Sequence, residues 1–368
     1  MEYVNLRDIC EIKMGQSPES SSYNSDKQGV PFYQGNADFG ALYPSPRIWC
    51  NKPIKLAKEN DILISVRAPV GALNFSKEEC CIGRGLAAIT LDSNDFLLEF
   101  IYWSLRTGVK ELQSKSTGST FKSINKKTLE EVRIPKISLK EQKDIIRNLT
   151  LLTNILAKYK HEIVFMDELV KARFVEMFGD PVSNSKDLPI QKMNNVAPIC
   201  QYDGSFEERV WLLNLDMVES QTGRIINYNI VGKDAIGGSV CTFDENNILY
   251  SKLRPYLNKV VIPNGKGYAT SELVPLRPDN KIINRIYLAY LLRSNEFVEM
   301  IKEKVAGAKM PRVSMSDFRE FNVPVPPLEF QNQFASFVQE IDKSRSRIQK
   351  SLEASQELFD SLMQEYFG

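Results

Sequence analysis

The residues best suited to chemistry gather in a basic, hydroxyl-rich stretch from Arg106 to Lys127. It holds Arg106, Lys110, Lys115, Lys122, Lys126 and Lys127 against a single acid, Glu111, with Ser114, Ser116, Thr117, Ser119 and Thr120 set around Gly118. Later in the chain Lys302, Lys304, Lys309 and Arg312 surround Gly307 in the same way. Cations attract phosphate, and short hydroxyl donors on a flexible backbone fix its position. That chemistry makes Lys115, Thr117, Ser119, Thr120, Lys122, Lys309 and Arg312 candidate nucleic-acid contacts. The same composition also suits a solvated helix end and turn, and a single copy does not separate the two readings.

Arg67 and Arg254 each follow a strand-like run and lie near a proline, Pro69 and Pro255. A guanidinium fixed at a strand end can read guanine bidentately, with about 1–3 kcal/mol of discrimination. An ordinary ion pair is the competing role. Arg84, between Gly83 and Gly85, is a further candidate. Gln34, Asn36 and Asn214 sit beside Tyr33 and Trp211 and could contact bases or cap a strand.

Catalytic motifs are missing from the sequence. There is no G-x-x-x-x-G-K-[ST] phosphate loop, and Gly83-Arg84-Gly85 lacks the third glycine of a dinucleotide fingerprint. Pro278-Asp279 has no downstream E-x-K of a metal-dependent nuclease, and there is no Asp/Asn-Pro-Pro-Tyr/Phe for methylating a flipped adenine. His161 is the single histidine, placed between apolar Tyr159 and Ile163, so a histidine triad or metal site is not expected. Glu78-Glu79 reads as surface charge.

Bulk properties set the frame for these residues. The chain has 368 residues, enough for two or more globules, and 43% hydrophobic content suits a packed core. Its 47 basic and 46 acidic residues give a net charge of +1, so nucleic-acid binding would rest on local patches. No long uncharged apolar window and no leader-like start are present, so neither a membrane span nor a signal peptide is expected. Six cysteines without a C-x-x-C pair suggest reduced thiols in the cytoplasm.

The elements that must position the candidates can be read in order. Strands are predicted at Pro31–Gln34, Ile62–Arg67, Cys81–Ile89 (a glycine turn running into a buried strand) and Val132–Pro135, with a helix from Phe96 to Leu112. A second set follows: strands at Val210–Leu215 and Ile248–Leu253, an apolar run Tyr268–Leu276 with Glu272 inside it, and a helix from Ile286 to Lys304.

Two longer stretches organise everything else. From Leu139 to Phe178 there is no proline or glycine, and Leu149, Leu152, Leu156, Tyr159, Ile163, Met166 and Val170 recur at steps of three and four. This predicts one helix of about 60 Å with a stripe that faces another helix. Leu328–Gly368 repeats the length, and its stripe is Phe334, Val338, Ile341, Ile348, Leu352, Phe359 and Leu362. A shift of 189 positions aligns Gly118 with Gly307, Ile134-Pro135 with Val323-Pro324, Leu139 with Leu328, Gln142 with Gln331 and Phe178-Gly179 with Phe367-Gly368. Arg345 replaces Leu156 and Ser355 replaces Met166 under this shift, and both read as tolerated or partner-facing positions.

This order of motifs resembles the DNA-specificity subunit of type I restriction–modification systems over nearly the whole chain. The matching residues are Val4-Asn5-Leu6-Arg7-Asp8-Ile9, Asp61-Ile62-Leu63-Ile64-Ser65 with Arg67, Thr117-Gly118-Ser119, Leu139-Lys140-Glu141-Gln142 and Met177-Phe178-Gly179-Asp180. The second half adds Asn247-Ile248-Leu249, Val323-Pro324-Val325-Pro326-Pro327-Leu328 with Gln331, and Phe367-Gly368. The resemblance implies an α+β chain of two α/β-type target-recognition domains, 1–135 and 186–325. Two long helices, 136–185 and 326–368, would form an antiparallel intramolecular coiled coil with pseudo-twofold symmetry.

It also implies a non-catalytic subunit that reads one half of a split, asymmetric double-stranded DNA site with each domain. Two methyltransferase subunits would dock on the helices at Leu149, Leu152, Leu156, Ile163, Val338, Ile341 and Leu352, and motor-nuclease restriction subunits would join them. S-adenosylmethionine, and ATP with magnesium for restriction, would bind those partners and not this chain. The alternative on composition alone is a coiled-coil scaffold with two protein-binding globules.

Overall fold

The computed structural model describes residues 2–114, 123–306 and 310–368. It divides into two compact units, residues 1–159 with 351–368 and residues 160–350. Each of the two forty-residue helices, Leu139–Phe178 and Leu328–Phe367, contributes one segment to each unit.

In the first unit, Tyr3–Asn5 pairs antiparallel with Arg133–Pro135 and ties the start of the chain to the end of the globule. A four-stranded antiparallel sheet runs in the order Cys10–Met14, Leu86–Leu91, Ile62–Ser65, Leu73–Phe75. Ile62, Leu63, Ile64 and Ser65 are all buried, so this strand is covered on both faces and its sequence shows a continuous apolar run in place of alternation. A five-stranded mixed sheet lies beside it in sequence, with Val30–Tyr33 parallel to Cys80–Ile82. Helix Leu98–Thr107 buries Phe100, Ile101, Tyr102, Trp103 and Leu105 in a core shared with Leu149, Leu152, Leu156, Phe359 and Met363. The unit therefore closes its globule on the start of one long helix and the end of the other.

The second unit repeats the plan. Ile190–Lys192 pairs with Asn322–Pro324. Asn229–Gly232, Arg209–Leu213, Gly267–Thr270 and Val240–Phe243 form one sheet, in which Arg209–Leu213 and Gly267–Thr270 are parallel. Val260–Val261, Ile248–Ser251 and Leu273–Leu276 form another. Its core joins Phe174 and Phe178 to Tyr287 and Phe334 through ring contacts of 4.7–5.7 Å. Asp167 meets Arg345 while Phe174 meets Phe334, so within this unit the two helix segments run antiparallel.

One sequence expectation changes, and one apolar run resolves. The helix expected from Ile286 to Lys304 is two helices, Arg285–Arg293 and Asn295–Glu303. Ser294 takes an extended conformation between them, and its side chain accepts the Phe297 N–H to cap the second. The run Tyr268–Leu276 is two strands in different sheets, broken at Ser271-Glu272. Arg345 also departs from expectation. Its side chain is only 14% exposed, because Asp167 and Asp342 take its charge inside the chain, so it is not a partner-facing position.

Candidate nucleic-acid interface

In the first unit the candidate side chains are brought together by a series of backbone hydrogen bonds beyond the parallel strands. Gly83 N–H donates to Tyr33 O at 2.8 Å, and Gly85 N–H to Gln34 O at 3.2 Å. Val66 N–H donates to Gly85 O at 2.9 Å, and Ile124 N–H to Val66 O at 3.0 Å. Gln34, Arg84 and Arg67 thus occupy neighbouring rungs of one edge, and Arg67 forms a β-bridge with Ser123. All three side chains are exposed, and Asn36 is half-buried in the short turn that follows.

The glycines in this edge serve close approach. A Cβ on Gly85 would lie 2.4 Å from Gln34 O, and one on Gly15 would lie 2.2 Å from Gly83 O. Gly83-Arg84-Gly85 is therefore a backbone crossing that carries an exposed arginine, with Arg84 N–H donating to Ser17 Oγ at 3.3 Å. Ser17 carried no signal in the sequence; only a contact between distant segments places it here.

The second unit builds the same frame. Leu213 pairs with Ala269 where Tyr33 pairs with Ile82. Lys252 N–H donates to Glu272 O at 3.0 Å, and Val313 N–H to Lys252 O at 2.9 Å. Glu272, Lys252 and Val313 hold the nodes that Gly85, Val66 and Ile124 hold in the first unit. Asn214, half-buried, ends its strand at the place of Gln34. Leu253 bridges Arg312 as Arg67 bridges Ser123.

The side chains on this shared frame differ. Arg312 pairs with Glu272 at 2.7 Å, and its guanidinium keeps the Glu272 carboxyl below the ordinary glutamate range. Arg254 is exposed in a left-handed backbone conformation, with φ of 47°, and its N–H donates to Pro311 O at 2.8 Å. Such a conformation is costly for a residue with a Cβ and is over-determined here by that bond and by Pro255. Among the described residues, Arg67, Arg84 and Arg254 form no ion pair.

Four other cations of the basic stretches are engaged. Arg106 stacks over Trp103 and Phe359 at 5.2 and 5.6 Å. Lys126 and Lys127 pair along their helix with Glu130 and Glu131, and Lys302 with Glu299. Lys115, Thr117, Ser119, Thr120, Lys122 and Lys309 lie outside the described residues.

The helix stripe faces inward. Leu149, Leu152 and Leu156 are buried in the first unit's core and Val338 in the second's, while Leu352 and Ile341 pack against those cores and Ile163 is half-buried. Leu149, Leu152, Leu156 and Val338 are thus core residues and not a surface for another subunit. The large apolar residues the long helices leave in solvent are others: Leu139, Leu151, Val164, Phe165, Leu169, Val175, Phe330 and Leu358. Among the described residues no carboxylate, thiol and imidazole cluster could hold a metal, and no helix is long and apolar enough to cross a membrane.

The chain thus holds two repeats of one α+β frame, each closed on segments of two long helices and each exposing a different set of polar and basic side chains. The sequence model of the type I restriction modification DNA specificity domain matches residues 1–164 and 216–356. The chain belongs to that family. It is 44% identical over 146 residues to a putative type I restriction enzyme MjaX specificity subunit of Methanocaldococcus jannaschii, covering 40% of this chain and 34% of that one. It is 24% identical over 291 residues to the type I restriction enzyme EcoDI specificity subunit of Escherichia coli, covering 69% of this chain and 65% of that one. The alignments thus span about one third and two thirds of these relatives. The crystal structure of a type I restriction-modification system S subunit from M. genitalium matches 100% of this chain and 96% of its own with a TM-score of 0.60 at 16% identity, a likeness of fold.

Proposed function

We propose that this chain is the sequence-reading subunit of a type I restriction–modification complex, contributing recognition and no catalysis. Each unit reads one half of a split, asymmetric DNA site. The observation that carries this is the repeated edge, Gly85–Val66–Ile124 in one unit and Glu272–Lys252–Val313 in the other, each beyond a parallel strand pair. The frame is constant and the exposed groups are not, as two different half-sites require. Arg67, Arg84, Arg254, Gln34, Asn36 and Asn214 are the proposed base-edge contacts. Lys115, Thr117, Ser119, Thr120, Lys122 and Lys309 are the proposed phosphate contacts.

Two methyltransferase subunits and motor-nuclease subunits complete the assembly in the cytoplasm. They bring S-adenosylmethionine and ATP with magnesium, and together they act in defence against foreign DNA. A net charge of +1 supports a division in which partners supply much of the phosphate neutralisation.

The test is duplex binding across a salt series, with and without the methyltransferase subunits. Weak, salt-sensitive binding by this chain alone and tight, specific binding by the complex are expected. Lys115→Ala with Lys122→Ala should weaken all sequences alike and lower the salt slope by about two. Equal specific affinity with and without the methyltransferase would contradict the division of labour. Protein capture without DNA binding would favour a scaffold.

A further inference from the structure

At one node of the shared frame the second unit carries an ion pair. Where the first unit has Gly85, with Ser123 bridged to Arg67, the second has Glu272, with Arg312 bridged to Leu253. Arg312 Nε donates to both carboxylate oxygens of Glu272 at 3.2 Å, and Nη2 donates to Oε1 at 2.7 Å. One edge of the guanidinium is therefore occupied. A guanidinium carries five N–H donors in a rigid plane, and the end formed by Nη1 and Nη2 keeps its remaining donors. That end matches the N7 and O6 acceptors of a guanine in the major groove.

Exposure gives the pair a direction. The Glu272 side chain is 20% exposed and that of Arg312 is 45% exposed, so the carboxylate is the inner member and the guanidinium the outer. Both backbones are held by the frame, Glu272 through Lys252 N–H and Arg312 through its bridge to Leu253. The pair is neutral as a whole. It adds little to general attraction for phosphate, and its value lies in the fixed geometry of the outer donors.

We infer that Arg312 reads a guanine in the half-site bound by the second unit and that Glu272 is its positioning residue. This rests on the reading of the chain as a DNA-specificity subunit. It assigns a base type to one edge and a role to a residue that sequence reasoning left as an acid in an apolar run. The first unit, with Gly85 and Ser123 at the equivalent nodes, has no such pair and makes no such contact there.

The test uses the chain assembled with its methyltransferase subunits, as wild type, Arg312→Lys and Glu272→Gln. Lysine keeps the charge beside Glu272 but not the fork. The wild-type methylation motif should contain a guanine in one half. Arg312→Lys should reduce discrimination at that base by about 5- to 150-fold and leave the other half unchanged. Glu272→Gln should relax the same base to a lesser degree without altering the salt slope. A duplex with 7-deazaguanine at that base, which lacks N7, should weaken wild-type binding and leave Arg312→Lys binding unaffected.

An unchanged motif in Arg312→Lys would overturn the inference, as would a loss spread evenly over all bases or a half-site without guanine. A wild-type complex that methylates no split site would instead overturn the underlying reading.

Discussion

Gln142, in the first turn of the first long helix, accepts the backbone N–H of Leu97 through Oε1 at 2.8 Å. Its Nε2 donates to Asp95 O and Ile137 O, and the side chain is fully buried. Gln331 repeats the arrangement with Asn284 N–H, Ile282 O and Pro326 O. In both units the amide joins the residue that starts a globular helix to the turn that starts a long one. Gln142→Ala would leave a buried N–H and two carbonyls unpaired, at a cost of about 1–3 kcal/mol. Urea unfolding of Gln142→Ala and Gln331→Ala should show losses of similar size; a loss within a few tenths of a kcal/mol would mean that water replaces the amide.

Asp167 holds together the polar part of the second unit. It accepts from Arg345 at 2.6 Å and from Arg224 at 2.6 Å, joining both long-helix segments to the globule. Asp167→Ala would leave two partly buried arginines without this carboxylate, and about 1–2 kcal/mol of stability should be lost, since Glu219 and Asp342 still pair with them. Arg345→Leu should cost less, because it restores the apolar residue found at Leu156 and leaves Asp167 paired with Arg224. Thermal and urea unfolding of both variants check the order. The reverse order would mean that the charge network contributes nothing beyond packing.

Asp244 sets an acid limit for the same unit. Burial pushes its carboxyl pKa up, but bonds from Arg277 and Asn246 outweigh this and hold it below the ordinary 3.8. A carboxyl with a folded pKa below its unfolded one stabilises the fold above the unfolded value, and that stabilisation is lost as pH falls through the folded value. Wild type should therefore lose stability below about pH 4, an expectation that follows from this linkage. Asp244→Asn should be less stable at neutral pH and should lack this part of the acid dependence. Parallel pH profiles of the two proteins would refute the assignment.

Thiol reactivity offers an independent check on the cores. Cys10, Cys50, Cys80, Cys81 and Cys241 are buried, and Cys200 is exposed. Burial, the largest cause, pushes Cys10 and Cys80 up to about 12 and Cys81 and Cys241 up to about 11. A thiol reagent at neutral pH should label Cys200 rapidly and the other five only on unfolding, since the thiolate is the reactive form. Fast labelling of Cys80 or Cys81 would show that the mixed sheet opens.

The long helices were legible because forty residues without proline or glycine and a three–four apolar rhythm admit little else. The buried strand Ile62–Ser65 was legible from its continuous apolar run. The breaks were not. Ser294 and Glu272 interrupt runs whose local pattern continues through them, and the interruption comes from a cap and from a change of sheet. Arg345 looked like a misplaced residue on an apolar stripe because its partner, Asp167, is far away in sequence. The candidate edge was legible as residue types only. That Gln34, Arg84 and Arg67 share one edge depends on hydrogen bonds between segments that no local pattern connects.

The central claim is that one chain reads two different half-sites. Methylome sequencing of cells with and without this chain, in the presence of the methyltransferase subunits, tests it most directly. The account predicts a split, asymmetric methylated motif that disappears without the chain, and relaxation at one base of one half in Arg67→Ala. A continuous motif, or methylation unchanged in the absence of the chain, would contradict it.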